Sequence, residues 1–181
     1  MSAVVTTVLA AAVAALPTAE THCPGVIVAE RFGSSPGTAI THDRDAVPEG
    51  SRVVVVEKPH KGGGTTVAVG LKGLQPDRTY GAHVHTKPCG PEPADSGPHY
   101  QNTVDPVQPS VDPAYANPDN EVWLDFTTNT RGSGGAVATV DWRFREGAAR
   151  SVVVHEHATE TGPGHAGMAG ARLACVNVPF S

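Results

Sequence analysis

No cluster of lysine and arginine occurs anywhere in the 181 residues: 13 basic side chains stand against 18 acidic ones, and the net charge is -5 at pH 7. Nucleic acid and acidic lipid surfaces therefore find no electrostatic footprint to hold. The global sign does not exclude a small anionic substrate, because the field at a site can oppose it. Past Ala19 there is no apolar run long enough to cross a bilayer, so the mature chain is not expected to insert into a membrane. Internal repeats and coiled-coil heptads are absent as well. Cysteine is scarce. Its three copies, Cys23, Cys89 and Cys175, allow one disulfide with one thiol left over in an oxidising compartment.

The first twenty residues, MSAVVTTVLAAAVAALPTAE, carry no charge before Glu20. Their apolar stretch from Val4 to Leu16 is too short to span a bilayer but suits the apolar region of a secretory signal, with cleavage after Ala15 or Ala19. The basic residue that usually precedes such a region is missing. The expectation is a signal peptide over residues 1–19 and a single domain over 20–181, exported to the periplasm, the cell surface or the medium.

What the chain has in quantity is turn-forming residues, 20 glycines and 16 prolines, set between short apolar runs that alternate with period two. In TTVAVGLKGL, Val67, Val69 and Leu71 share one face and Thr66, Ala68, Gly70 and Lys72 the other. Ala138, Val140, Trp142 and Phe144 form a similar inward set in AVATVDWRF, and Val122, Leu124 and Phe126 another in EVWLDF. Arg52–Glu57 and Arg150–His157 add two further strands. Turn clusters such as EKPHKGGG and TNTRGSGG lie between them, so the chain reads as all-β, a sandwich or barrel. One segment breaks the rhythm. Residues 87–120 hold eight of the prolines and no periodicity, and so long a loop inside a compact domain is usually functional or disordered.

Just before that loop stands GAHVHTKPCG. His83 and His85 straddle Val84, so a strand over Tyr80–His85 places both imidazoles on one face, a chelating arrangement. His99 follows in the loop, and VVVHEH presents His155 at the end of an apolar strand. Imidazole suits Cu, Zn, Fe and Ni alike, and four of them on a β scaffold favour copper.

The order and spacing of HVH, GPHY, VVVHEH and the closing GARLAC resemble the Cu,Zn superoxide dismutase family over roughly Arg52 to Val178. The resemblance implies an eight-stranded Greek-key sandwich or barrel. It implies copper held by His83, His85, His99 and His155, a disulfide from Cys89 in the loop to Cys175 on the last strand, and Arg172 beside the copper to attract superoxide, a task suited to a permanently charged, forked guanidinium.

The zinc half departs from the family. Between Tyr100 and Asn120 there is no histidine, and Glu121 occupies the place where zinc-containing members carry a ligand histidine. This resembles the copper-only branch found among secreted bacterial members, with Glu121 hydrogen-bonding His99 as carboxylates do for metal-bound imidazoles. Zinc is not expected. Asp105, Asp112 and Asp119 are read as solvated loop residues, since carboxylates without nitrogen partners make a poor zinc site. His22, His42 and His60 read as surface residues, and the roles of His157 and His165 are left open, His157 sharing the face of His155 at a position the family does not use as a ligand. The loop from Glu156 to Ala171 is shorter than its family counterpart and leaves the metal more open.

The implied activity is copper-dependent superoxide dismutation, with Arg172, His99 and Glu121 as its working residues. The alternative is a secreted copper-binding protein of the same fold that buffers copper without turnover. Whether chains pair is left open.

Overall fold

The structure, a computed structural model, describes residues 25–34 and 37–181. The expected signal peptide, His22 and Cys23 lie outside the described residues. No helix among them is long and apolar enough to cross a membrane.

Ten strands follow in order: β1 (Val26–Arg31), β2 (Ala39–Thr41), β3 (Arg52–Pro59), β4 (Thr65–Lys72), β5 (Thr79–Tyr80), β6 (Ala82–His85), β7 (Phe126–Thr127), β8 (Ser133–Val140), β9 (Ser151–His155) and β10 (Arg172–Asn177). Two antiparallel sheets of four, ordered β1-β3-β4-β8 and β2-β10-β9-β6, carry the architecture, and β5 and β7 pair separately. The sheets do not close on themselves, so of sandwich and barrel the molecule is a sandwich with two principal sheets totalling eight strands. Of the runs read as strands, EVWLDF is regular only at Phe126 and Thr127, and AVATVDWRF stops being a strand at Val140. Both keep their inward residues: Val122, Leu124, Phe126 and Phe144 are buried, while Trp142 is half-buried. β1 and β2 are additions that no alternation in the sequence announces.

The core lies between the sheets. Val53, Val55, Val67, Val69 and Leu71 from the first sheet join Ala82, Val84, Val152, Val154, Ala174 and Val176 from the second in one buried cluster. Period two then fixes what the second sheet shows on its other face: His83, His85, Val153, His155 and Cys175 alternate with those core residues and point away from the first sheet. They are nevertheless buried, His83 and His85 completely, because the long loop covers that face.

Two stretches of the loop region lie along the free edge of β6. Tyr100 N–H donates to Val84 O at 2.8 Å and Leu124 N–H to Ala82 O at 2.7 Å. Isolated bridges join His85 to His99 and His83 to Trp123. The loop itself is ordered by its own polar side chains, with a single 3-10 turn at Pro93–Ser96. Asp105, expected to be solvated, is buried and organises the loop: its carboxylate accepts from Val107 N–H at 2.8 Å and from the Ser110 hydroxyl at 2.7 Å. Asp112 and Asp119 are exposed, as expected.

Candidate metal centre

His83 and His85 come from β6, His155 from the end of β9, and His99 from the loop strand laid along β6. Each of the four rings offers a nitrogen, and those atoms all lie within 4.8 Å of one another. The ring centroids of His83 and His99 are 4.0 Å apart, and those of His85 and His99 are 4.8 Å apart.

In three rings the nitrogen turned away from the centre faces an oxygen that can only accept. His85 Nδ1 lies 2.9 Å from Gly97 O, His155 Nδ1 3.5 Å from Gly170 O, and His99 Nδ1 2.9 Å from Glu121 Oε2. Their protons therefore sit on Nδ1, and Nε2 is left as a lone pair. His85 Nε2 and His155 Nε2 stand 3.2 Å apart, two lone pairs facing each other. His83 is reversed: Nε2 lies 2.7 Å from Thr159 Oγ1, and Nδ1 is a buried nitrogen with no hydrogen-bond partner in the protein. An orphaned nitrogen and two opposed lone pairs are unfavourable unless a cation sits among them. The donor set thus fits a metal ion with one Nδ1 and three Nε2 ligands.

Burial, reinforced by the other imidazoles nearby, holds His83 and His85 well below the ordinary histidine range and brings His155 down to about 3. These rings stay neutral and available as ligands at physiological pH.

Glu121 is 2% exposed and saturated with donors. Oε2 accepts from His99 Nδ1 and, at 2.8 Å, from Trp123 Nε1; Oε1 accepts from Gln101 Nε2 at 2.8 Å. Gly167 passes over this pair at φ +80°, and a Cβ there would meet Ala116 Cβ at 3.1 Å.

A cleft of about 720 Å³ opens beside the group, lined among others by His99, His155, Met168 and Arg172. Arg172 is opposite His155 in the pairing of β9 with β10. Its Nη1 donates to Ser96 Oγ at 2.9 Å and to Pro93 O at 3.1 Å, which fixes the guanidinium against the 3-10 turn. Burial lowers its pKa below the usual arginine value. The disulfide Cys89–Cys175, Cα–Cα 5.6 Å, anchors the start of the same segment to β10.

Residues 50–178 match the family model described as copper/zinc superoxide dismutase (SODC). The chain belongs to the copper/zinc superoxide dismutase family. No curated protein sequence matches it. Its fold is similar to that of a double mutant of a SOD-like protein from Bacillus subtilis, at 16% identity over 71% of this chain and 88% of that one, with a TM-score of 0.53. It is also similar to the clock protein EA4, at 19% identity over 87% and 94% of the two chains, with a TM-score of 0.55. At such identities the likeness is one of fold.

The structure brings together the four histidines, Glu121 and Arg172 that family motifs singled out. His157 and His165 are exposed and stand outside the group, and His42 and His60 are half-buried rather than fully on the surface. Among the described residues, no other group of three or more His, Cys, Asp or Glu side chains is placed to hold a metal. Sequence reasoning missed Thr159 and Asp125, which bear on His83, and Gln101, which bears on Glu121. None of these lies in a metal-binding pattern, so only the fold connects them.

Proposed function

We propose that the protein is a copper-dependent superoxide dismutase of the copper-only kind, exported from the cell and converting two superoxide anions and two protons to dioxygen and hydrogen peroxide. The observation that carries the reading is the set of four imidazoles with converging nitrogens, one of them an orphaned buried nitrogen, beside a cleft whose wall contains His99, His155 and Arg172. Imidazole nitrogens in this number favour copper, and bound copper would supply one-electron chemistry in both directions.

The chain's own residues do the rest. Arg172 holds a positive charge in the cleft wall and offers forked donors to a small anion. His83, His85 and His155 are enclosed, whereas the His99 side chain is 18% exposed, so His99 is the ring that solvent protons reach. It can take up a proton at Nε2 while Nδ1–H stays on Glu121, whose carboxylate balances the charge. Glu121 also supports the absence of zinc: a His99 Nδ1 that carries a proton towards a saturated carboxylate has no lone pair for a second ion.

Metal analysis of the purified protein together with a superoxide decay assay tests the reading, with Arg172→Ala beside the wild type. The expected result is about one copper per chain, no stoichiometric zinc, and dismutation that falls in the variant. Equimolar zinc would refute the copper-only assignment. Copper held without turnover would make the protein a copper-binding module instead.

A further inference from the structure

We infer that Asp125, acting through the Thr159 hydroxyl, dictates which nitrogen of His83 faces the metal centre, so that both are positioning residues for that ligand. The inference rests on the metal centre proposed above only where copper affinity is concerned. Its protonation content stands on the hydrogen bonds alone.

Hydrogen-bond polarity selects the His83 tautomer. A hydroxyl has one proton to give and can accept in return, so Thr159 by itself would tolerate either tautomer of His83. Asp125 removes that freedom. Its carboxylate takes the Thr159 hydroxyl at 2.7 Å on Oδ1 and the Thr159 N–H at 2.6 Å on Oδ2, and Ala82 N–H approaches Oδ1 at 3.3 Å. With its proton committed to Asp125, the hydroxyl can only accept from His83 Nε2, 2.7 Å away. His83 must then carry its proton on Nε2 and leave Nδ1 bare, and Nδ1 is the buried atom without a partner.

The other three rings need no such relay. Each faces a carbonyl or carboxylate directly, and these oxygens cannot donate. His83 alone is held by an ambivalent group, and it is fully buried, so no water can correct a wrong tautomer. The relay also ties together separate parts of the chain: Asp125 follows the segment that carries Glu121, and Thr159 lies in the loop after His155.

Asp125→Asn is the informative change. The amide keeps one oxygen for Thr159 N–H but turns an NH2 towards the hydroxyl, which then has to donate to His83 Nε2 and push the ring proton to Nδ1. Long-range proton–nitrogen correlation spectra of copper-free, 15N-histidine-labelled protein read the tautomer directly. The wild type should show His83 protonated on Nε2 and Asp125→Asn should show it on Nδ1. Thr159→Val, similar in size but without a hydroxyl, should show a mixture, and Thr159→Ser should restore the wild-type state. Competition with a Cu(I) chelator should give at least about tenfold weaker copper binding for Asp125→Asn and Thr159→Val, and wild-type affinity for Thr159→Ser, in the range that lost outer partners of metal-bound histidines produce. A wild type already protonated on Nδ1 overturns the inference, and so does an unaltered His83 tautomer in whichever of Asp125→Asn and Thr159→Val folds. Failure of the wild type to bind copper would instead refute the proposed function and leave the tautomer result to stand by itself.

Discussion

Arg172 lies opposite His155 because β10 carries one residue too many. Arg172 pairs with His155 and Ala174 with Val154, so Leu173 is skipped in the register. Strict alternation from Ala174, which is in the core, would bury Arg172 between the sheets. The bulge turns it to the other face, beside the histidines, while Leu173 takes a place in the core. A cation is thus set at the cleft by a local irregularity rather than by the strand's own pattern.

If that cation serves to gather an anion, its effect should depend on salt. Arg172→Ala is expected to lower the superoxide rate by about tenfold or more and to flatten its ionic-strength dependence, because steering contributes about 10- to 1000-fold to association. Arg172→Lys should keep the salt dependence and recover only part of the rate, since the planar guanidinium that Nη1 fixes to Ser96 Oγ and Pro93 O, and whose remaining N–H groups are left for an anion, is lost. Rapid-mixing measurements at low and high salt decide this, and an equal salt slope in wild type and Arg172→Ala would remove the guiding role.

The segment from Cys89 to Gly97 should act as a single clamp. Cys89 is bonded to Cys175, Cys89 N–H donates to Asn177 Oδ1 at 2.7 Å, Ser96 and Pro93 hold Arg172, and Gly97 O holds His85 Nδ1. The bridged residues are 86 positions apart, so opening the link frees a long loop in the unfolded chain. Cys89→Ser with Cys175→Ser is expected to cost about 2–4 kcal/mol of stability in denaturant titrations. Copper affinity should fall with it, as the His85 acceptor loosens. A double variant that binds copper as tightly as the wild type would show that the clamp does not reach the ligands.

Among the described residues Glu121 is the only acceptor for three buried or half-buried donors, so its removal should be felt twice. Glu121→Ala leaves His99 Nδ1–H, Trp123 Nε1–H and Gln101 Nε2–H without their oxygens. Each such loss costs about 1–3 kcal/mol where water cannot replace it, and the expected total is at the upper end of single-residue effects. Glu121→Gln keeps one oxygen and should cost less. Both should loosen His99, visible as an altered Cu(II) paramagnetic resonance spectrum and about 10- to 100-fold weaker copper binding. Unchanged spectra in both variants would mean that His99 is oriented by something else.

How far these features could be read from the chain depends on the range of the interaction that sets them. Alternation in β4, in β8 and around Phe126 is local, so those inward faces were legible, β3 and β9 were legible as strands, and HVH placed two imidazoles on one side of β6 by geometry alone. That His99, His155, Glu121 and Arg172 join them followed from family motifs and not from periodicity. The bulge before Ala174 breaks the very rule that periodicity uses. Asp105 looked like a solvated loop acid because nothing near it in sequence reveals that the loop folds back over its carboxylate. Thr159 and Asp125 were invisible for a similar reason: a relay of two short polar side chains, 34 residues apart, has no pattern until the sheet aligns it.

Acid should unfold the copper-free protein through the same histidines. His83 and His85 are held well below the ordinary histidine range and His155 is brought to about 3, whereas in the unfolded chain all three regain a value near 6.5. Below about pH 6.5 the unfolded chain therefore binds protons that the folded one refuses, and folded stability falls as the pH is lowered, by about 1.4 kcal/mol per pH unit for each fully engaged histidine. The loss runs down to about pH 3 for His155, where the folded state begins to take up its own proton. Urea titrations of copper-free protein at several pH values between 7 and 4 should give a steeply declining stability, and His155→Gln should remove about one proton from that slope. A stability that is level across this range, or a slope unaltered by His155→Gln, would show that the enclosed imidazoles are protonated in the folded state after all, and that the converging lone pairs on which copper binding depends are not available.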